Sequence, residues 1–476
     1  MIRLTLIYIF CFGLALYAWK DWYISLCGMI LLMAVLEHPD MPKNMFGVQG
    51  MNPWNIIFVN VLFSWTGSRR GEGLSWDMPR HITILLLLYL SVVLAGFFRM
   101  MSDQGLRETI PAGTLVGEYL VNTLKWVVPG LLLFDGCRSR SRFLLALGSL
   151  LAVYFLIGVQ VIRWIPPGAA ISGEELSARS LKLLVNEIGY HRVNLSMMLA
   201  GASWAVIATV PLVGKGMYRI VIVAVFLSLV YAQALTAGRM GYVTWALVGV
   251  ALAFIRWKKY LVLVPIVILA ILWAVPGVSE RMSQGFSPDS RETAPIFAEF
   301  QNYDPDEPDL YTVMAGRNIA WHFIVDKIGE SPAVGFGRLA MERTGLTSML
   351  WEKYREGFSH PHNAYLEMLL DNGWVGFLLV LPFYVVILWH SISLFRDSRS
   401  QFFVSAGGVA CALVLALLVA SVGSQTFYPR EGAVSMWCAI GLLLRVYVER
   451  SHGFSWEEKE SAEPDDGMFW TREPTT

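Results

Sequence analysis

The sequence predicts an all-α, polytopic membrane protein. Of its 476 residues, 55% are hydrophobic and only 16% are charged, whereas about a quarter of the residues in a soluble domain are charged. Apolar runs long enough to cross a hydrocarbon core of about 30 Å recur along the chain. Examples are "ITILLLLYLSVVLAGFF" from Ile82 and "FLLALGSLLAVYFLIGVQVI" from Phe143. The lipid bilayer is therefore the first predicted partner.

Twelve or thirteen apolar segments are candidate transmembrane helices, the uncertainty arising from the short segments near the N-terminus. The thirteen lie at about 4–19, 23–36, 53–65, 81–100, 114–135, 143–162, 193–213, 220–237, 241–255, 260–276, 374–394, 402–422 and 433–448. Under this count four basic clusters share one side of the membrane, at 68–70, 138–142, 256–259 and 395–399. Since Lys and Arg are enriched in cytoplasmic loops, that side should be cytoplasmic.

Four segments follow from this topology. Residues 1–276 hold the N-terminal transmembrane helices, 277–373 form a large outer loop with surface-lying helices, and 374–448 hold the C-terminal transmembrane helices. The polar, acidic tail 449–476 should be cytoplasmic and disordered. The formal net charge is zero, so bulk charge gives no reason to predict a nucleic-acid partner. The five cysteines lack metal-site or disulfide spacing, and neither a metal nor a cofactor is predicted.

The outer loop contains a predicted helix that begins at an arginine. In "AGRNIAWHFIVDKIGESP", Ile319, Phe323 and Ile328 recur at near-helical spacing, and Pro332 ends the pattern. Arg317 stands at the helix start, where a guanidinium and free backbone N–H groups together suit an anion. The alternative is a solvated arginine at the membrane surface.

The same loop ends in "SHPHNAYLEMLLDNGW", which begins at Ser359 and places imidazoles just before an apolar helix. Asn363 is a good N-cap, and Asn372 with Gly373 should end the first turns in a left-handed conformation. The positive end of the helix dipole disfavours the imidazolium form of His362, and a neutral imidazole can act as a general base. The alternative is a histidine bonded to a loop carbonyl. His360 is the weaker candidate, because Pro361 should turn the chain away from it.

Other charged side chains lie at membrane depth, where they are costly and usually functional. Arg239 lies in the tight hairpin "ALTAGRMGYV", at the outer end of a predicted span. Arg192 and Arg430 lie at the outer ends of two other predicted spans. These arginines should lie on the same side of the membrane as His362. Each could instead anchor its helix end, but together they suit a diphosphate, which guanidinium groups grip through paired bonds.

A polar stripe is predicted in "GEYLVNTLKWVVPG". Glu118, Asn122 and Lys125 are spaced four and three residues apart and should share one helix face. The stripe could be an internal network that stabilises the bundle or the wall of a cavity.

The ordered motifs resemble those of the O-antigen ligase and polymerase superfamily. "AGRNIAWHFIVDKIGESPAVGFG" followed by "HNAYLEMLLDNGWVGFLL" supplies an Arg near a Trp, a Pro-x-x-Gly-x-Gly turn, a His-Asn pair and a Gly-x-x-Gly. "TAGRMGYV" lies one loop upstream, where the family commonly has Ser-Arg and this chain has Gly238 instead. The explicit likeness covers roughly 236–380, and the layout of spans extends it to most of the chain.

The resemblance implies a metal-independent, inverting membrane glycosyltransferase of a bacterial inner membrane, with its site facing the periplasm. Its donor would be a glycan on undecaprenyl diphosphate. Arg239 and Arg317 would bind and stabilise the diphosphate, joined by Arg192 and Arg430. His362 would take the proton of the acceptor hydroxyl. The predicted supporting residues are Asn363, His360, Trp321, Tyr365, Glu118 and Lys125.

The motifs leave the acceptor open. A ligase would transfer glycan to lipid A–core, a polymerase would use a second lipid-linked glycan as acceptor, and a protein O-glycan ligase would use a serine or threonine. A flippase of lipid-linked sugar is the alternative from another class. It should show internal pseudo-symmetry and charges along a mid-membrane path, and the sequence shows no internal repeat. The ligase is the preferred interpretation.

Overall fold

The computed structural model describes residues 2–45, 50–214, 216–284, 286, 314, 316–355 and 357–453. Within these ranges the chain forms helices and no β-strand. Eight helices are long and apolar enough to cross a membrane, or nine if one bent pair counts as a single span. The prediction of an all-α integral membrane protein is confirmed. The eight are Arg80–Met101, Arg140–Trp164, Arg192–Leu212, Met217–Leu235, Arg239–Trp257, Ala364–Arg396, Gln401–Ala420 and Glu431–Ser451.

The remaining predicted spans are short or broken, so a count of twelve is not confirmed. Near the N-terminus the helices are Ile2–Tyr17, Trp22–Leu31 and Pro53–Ser68. The predicted span 114–135 is divided into Ala112–Val116, a π-helical turn Gly117–Val121, Asn122–Lys125 and Val128–Gly136. The predicted span 260–276 contains the helix Leu263–Ala274, which bends by 106° into Gly277–Ser283. Hydropathy locates the apolar segments in the sequence, but it does not show where a helix within such a segment is interrupted.

Three helices form the most buried part of the bundle. At least two thirds of each apolar window is buried in Arg192–Leu212, Gln401–Ala420 and Glu431–Ser451. Small residues allow this close packing. A Cβ atom added to Gly407 would lie 2.3 Å from the backbone nitrogen of Phe395, and one added to Gly201 would lie 2.7 Å from Cβ of Ala416.

The outer loop forms a small helical layer with its own apolar cluster. Its described helices are Arg317–Glu330, Ala340–Arg343 and Leu346–Tyr354. The predicted helix start at Arg317 is therefore confirmed. Its buried face consists of Ala320, Ile324 and Ile328, so only one of the three residues used to predict the helix is fully buried. The described helices outside the long spans also include Gln104–Thr109, Gly173–Glu187 and Gly277–Ser283.

The helix Ala364–Arg396 joins this outer layer to the bundle through a break at Gly373. Gly373 has φ +62°, and a Cβ atom there would lie 2.4 Å from the Ala333 carbonyl, so only glycine fits this contact. The amides of Trp374 and Val375 donate to the carbonyls of Pro332 and Ala333, at 2.8 and 3.0 Å. The predicted left-handed turn at Gly373 is confirmed, and the helix resumes immediately after it.

One prediction lies outside the described residues. The predicted disordered tail falls mostly in 454–476.

Candidate active site

Side chains from three separate segments meet around Ser424. Nδ1 of His362 lies 3.0 Å from Oγ of Ser424, and the Arg317 guanidinium donates to the same oxygen at 3.4 Å. Ser424 is only 7% exposed and belongs to the connection between two buried helices, which we call the 421–430 loop. The fold therefore brings two of the predicted catalytic residues, Arg317 and His362, onto one hydroxyl group.

The backbone of His362 adopts an unusual conformation that is held from two sides. Its φ of +52° lies in the left-handed region, which costs a residue with a Cβ atom about 1–2 kcal/mol. The indole N–H of Trp321 donates to the Pro361 carbonyl at 2.8 Å, and the His362 amide donates to Nδ1 of His360 at 3.2 Å. Such strain persists only where the surroundings enforce it, and it is frequent at active sites.

The same conformation corrects the prediction for His360. Its ring centroid lies 4.0 Å from that of His362, so Pro361 does not turn the chain away from the site. The left-handed residue curls the chain back and places the two imidazoles side by side.

Both imidazoles are held in the neutral form. Burial lowers the pKa of His362 to about 3, and the neighbouring His360 imidazole and Arg317 guanidinium act in the same direction, because both disfavour a second positive charge there. Burial likewise lowers the pKa of His360 to about 4, with Arg430 and Arg317 contributing. Hence the electrostatic fields of Arg317 and Arg430 both reach this histidine pair.

The start of the helix Ala364–Arg396 is fastened to the 421–430 loop. Asn363 caps the helix, its side-chain oxygen accepting from the amides of Tyr365 and Leu366 at 3.0 and 3.2 Å. The Ala364 amide donates to the Ser421 carbonyl at 2.7 Å. The Tyr365 hydroxyl donates to the Leu418 carbonyl at 2.8 Å, and its ring packs edge-on against Phe427. These contacts fix the distance between His362 and Ser424.

Arg317 and Arg430 have neutral hydrogen-bond partners. Arg430 donates to the side-chain oxygens of Asn194, at 3.0 Å, and of Gln425, as Arg317 does to Ser424. Among the residues that the structure describes, neither guanidinium forms an ion pair with a carboxylate, although Glu367 interacts electrostatically with Arg430 at longer range. Most of their positive charge is therefore available to an anionic ligand.

Arg239 begins a helix that touches the 421–430 loop. It is half-buried at the first position of Arg239–Leu252. The next residue, Met240, packs on the loop so closely that a Cβ atom at Gly423 would lie 2.4 Å from its Cγ. Gly238 packs against Ser196 with similar closeness. The backbone of Arg239 is thus placed beside the residue that precedes Ser424.

Three of the remaining predicted residues lie in other contacts. Arg192 donates to the Ser177 carbonyl at 2.8 Å, so this bond ties it to the helix Gly173–Glu187 and not to Ser424. Lys125 donates to the side-chain oxygen of Asn55 at 3.1 Å and stacks on Trp126. Glu118 acts electrostatically on Lys125 and belongs to this second polar cluster.

A π-helical turn interrupts the predicted polar stripe. Glu118 lies in the turn Gly117–Val121, whereas Asn122 and Lys125 lie in the short α-helix that follows. The wider turn changes the angular spacing, so the stripe is not carried by one regular α-helix.

Ser424 is the residue that the sequence did not indicate. It lies in "SVGSQTFYPREGA", from which only Arg430 was selected. Serine is common in loops, and its two partners are 62 and 107 positions away. No local pattern could have predicted the contact.

The comparisons with known proteins agree with the family resemblance of the motifs. Residues 222–381 match the family model for O-antigen ligases. The resemblance predicted from the motifs is confirmed over this segment, which contains Arg239, Arg317 and His362. The chain is also 35% identical over 72 residues to a Rickettsia conorii protein named "Putative polysaccharide ligase". The aligned residues are 14% of this chain and 18% of that protein, so the chain spans less than a fifth of this relative. Together the matches support a ligase- or polymerase-type role.

Proposed function

We propose that this protein is an inverting, metal-independent glycosyltransferase of the O-antigen ligase type. It would transfer a glycan from undecaprenyl diphosphate to a hydroxyl of lipid A–core, in the bacterial inner membrane and on its periplasmic side. The observation that carries the proposal is the contact of Arg317 and His362 with one buried hydroxyl, that of Ser424. The family match and the topology predicted from the basic loops support it.

The donor diphosphate would bind between Arg317 and Arg430, with Arg239 at its side. Charge-assisted bonds to phosphate are stronger than the bonds that these guanidiniums make with neutral side chains. It is therefore favourable for Arg317 and Arg430 to leave their bonds to Ser424, Asn194 and Gln425 and to donate to phosphate oxygens instead. The same arginines would stabilise the extra negative charge that develops on the diphosphate as it leaves.

The base needs the donor in order to work. An imidazole with a pKa of about 3 is a weak base, because general bases are most effective with a pKa near the working pH. A bound diphosphate brings opposite charge close to His362 and offsets Arg317, and both effects raise the pKa of His362. Proton transfer would therefore become favourable only in the complex.

Ser424 can couple donor binding to the tautomer of His362. A hydroxyl donates one hydrogen bond and accepts two. While Arg317 donates to Ser424, the serine hydrogen is available to Nδ1, which leaves the imidazole proton on Nε2. Once Arg317 turns to the diphosphate, Ser424 can accept from Nδ1–H. The lone pair of Nε2 is then available to the acceptor hydroxyl.

The reaction would be a single displacement. Nε2 of His362 takes the hydroxyl proton, the oxygen attacks the anomeric carbon, and the bond from that carbon to the diphosphate oxygen breaks. The electron pair leaves with the diphosphate, and the configuration of the anomeric carbon inverts. Asn363, Trp321, His360 and Tyr365 would act as positioning residues, because their hydrogen bonds hold the 360–365 segment that carries His362.

The test is His362→Ala in cells, compared with His322→Ala. His322 is exposed and lies in the neighbouring helix Arg317–Glu330, so its loss should change nothing. We expect His362→Ala to reach the membrane at normal levels and to abolish the surface polysaccharide ladder on a gel. Accumulation of lipid-linked polymer would identify a ligase, whereas a core bearing a single repeat would identify a polymerase. An unchanged ladder would rule out His362 as the base.

A further inference from the structure

A polar cavity lies at the end of the helix Ala364–Arg396 that is remote from His362. The part of this helix after the break at Gly373 is about 35 Å long, so the two sites are near opposite faces of the bundle. The cavity has a volume of about 430 Å³. Its lining combines cationic, hydroxyl and aromatic side chains, namely Trp389, His390, Ser393, Arg399, Tyr447, Arg450 and Ser451.

The charge of this cavity is positive. Arg399 and Arg450 share one carboxylate, that of Asp397, at 2.6 and 3.3 Å. The hydrogen bonds from Arg399 lower the pKa of Asp397, so the group is ionised at neutral pH and compensates one of the two guanidiniums. Arg450 also lies 3.3 Å from the Ser393 hydroxyl. Guanidinium and hydroxyl donors that converge in this way suit a phosphate group.

An apolar strip runs from the cavity along the same helix. Trp389, a wall of the cavity, is 71% exposed, and Val385 and Leu378 are 54% and 62% exposed. Their spacings of four and seven residues place them in one line on the helix surface. In a membrane-spanning helix such a line faces lipid chains, and the tryptophan lies where the apolar strip meets the polar cavity, as is typical of the membrane–water interface.

We propose that this cavity binds the headgroup of an anionic glycerophospholipid, with an acyl chain lying along Leu378, Val385 and Trp389. Arg399, Arg450 and the two serines would hold the phosphate, and the strip would select a lipid over free phosphate. Nothing in the proposed transfer reaction requires this site, so the lipid is a structural ligand of the opposite leaflet. The basic residues at this end agree with the attraction of cytoplasmic loops to anionic lipid.

The experiment uses the purified full-length protein in detergent and native mass spectrometry. Phosphatidylglycerol, phosphatidylcholine with the same acyl chains, and inorganic phosphate are each titrated. We expect phosphatidylglycerol to bind in preference to phosphatidylcholine. Arg399→Gln should bind phosphatidylglycerol about fivefold more weakly, since one basic residue near an anionic surface contributes about that factor. Asp397 keeps its bond to Arg450 in this variant, so the fold should persist.

Two further variants decide the outcome. Arg396→Gln removes an exposed arginine from the same helix end but outside the cavity, and it should bind like the wild type. Trp389→Ala should weaken phosphatidylglycerol binding without changing that of inorganic phosphate. Equal losses in Arg399→Gln and Arg396→Gln would overturn the site. Inorganic phosphate that binds as tightly as the lipid, with no effect of Trp389→Ala, would show a free-phosphate site and overturn the assignment to a lipid.

Discussion

Two groups of arginines in this protein differ in what they bind. In the group around Asp77, Arg445 donates to both carboxylate oxygens, at 2.5 and 2.8 Å, and Arg138 joins them at 2.8 Å. In the group around Ser424, Arg317 and Arg430 donate to neutral side chains. The helix Val434–Ser451 separates the two groups, since Arg430 precedes it and Arg445 lies near its end.

The charge of the hydrogen-bond partners distinguishes a structural arginine from one that is available to a ligand. Burial raises the pKa of Asp77, but the bonds from Arg445 and Arg138 outweigh it and lower the pKa to about 2. Arg445 and Arg138 also pair with Glu449 and Asp135, at 3.5 and 3.7 Å, so the charges there are already neutralised and join neighbouring segments of the chain. Around Ser424 the positive charge is not neutralised at close range, and it adds to burial in keeping the pKa of nearby histidines low. Such an arrangement is costly unless an anion uses it.

The largest expected effect is on stability and concerns the Asp77 group. We expect Arg445→Met to lower the free energy of unfolding by about 3 kcal/mol, because the half-buried Asp77 carboxylate loses its bidentate partner and the Phe134 carbonyl loses its donor. SDS titration followed by tryptophan fluorescence measures the change, with the exposed Arg396→Met as the control. Transfer activity per folded molecule should stay near that of the wild type. A stable but inactive Arg445→Met protein would contradict the division between the two groups.

The next effect is on activity and concerns the Ser424 group. Arg317→Gln should reduce kcat/KM for transfer by about 100-fold, the range found when one donor to a developing oxyanion is removed. The unfolding midpoint should change little, since the contact that the arginine loses among the described residues is a long bond of 3.4 Å to a neutral hydroxyl. Transfer assays with a lipid-diphosphate donor, alongside the SDS titration, measure both quantities. Severe unfolding with normal specific activity would make Arg317 a structural residue.

A smaller effect is expected at Ser424. Ser424→Ala should lower kcat about tenfold, because His362 loses the group that fixes its tautomer, and Ser424→Thr should restore part of it. Ser421→Ala is the matched control, since Ser421 is also fully buried and its hydroxyl has no described hydrogen-bond partner. If both alanine variants lose the same activity, the effect comes from packing and not from the bond to His362.

The smallest expected effect is a shift in the pH profile. His362 has a pKa of about 3 in the free protein, so it stays neutral above about pH 4 and kcat/KM should show no acid limb from this group near pH 6.5. Bound diphosphate raises the pKa, so kcat should fall on the acid side at a higher pH than kcat/KM does. Rates measured between pH 4.5 and 8 test this. Coincident acid limbs near 6.5 would show that the arginines do not control the histidine.

Local signals predicted much of this arrangement. The helix start at Arg317, the cap at Asn363 and the break at Gly373 each depend on residues within a few positions, so the sequence contains them. The left-handed backbone of His362 and the π-helical turn at Glu118 depend on contacts from distant segments. Ser424 depends on the meeting of three such segments. Sequence therefore predicted candidates around the site and missed the residue that joins them.

We propose that Arg317 binds the lipid diphosphate and that His362 acts only in the chemical step. Donor affinity and transfer rate, measured on the same preparations of Arg317→Gln and His362→Ala, test it most directly. We expect Arg317→Gln to weaken donor binding, and His362→Ala to bind the donor normally while transferring almost none of it. Normal donor binding by Arg317→Gln, or lost binding by His362→Ala, would contradict the account.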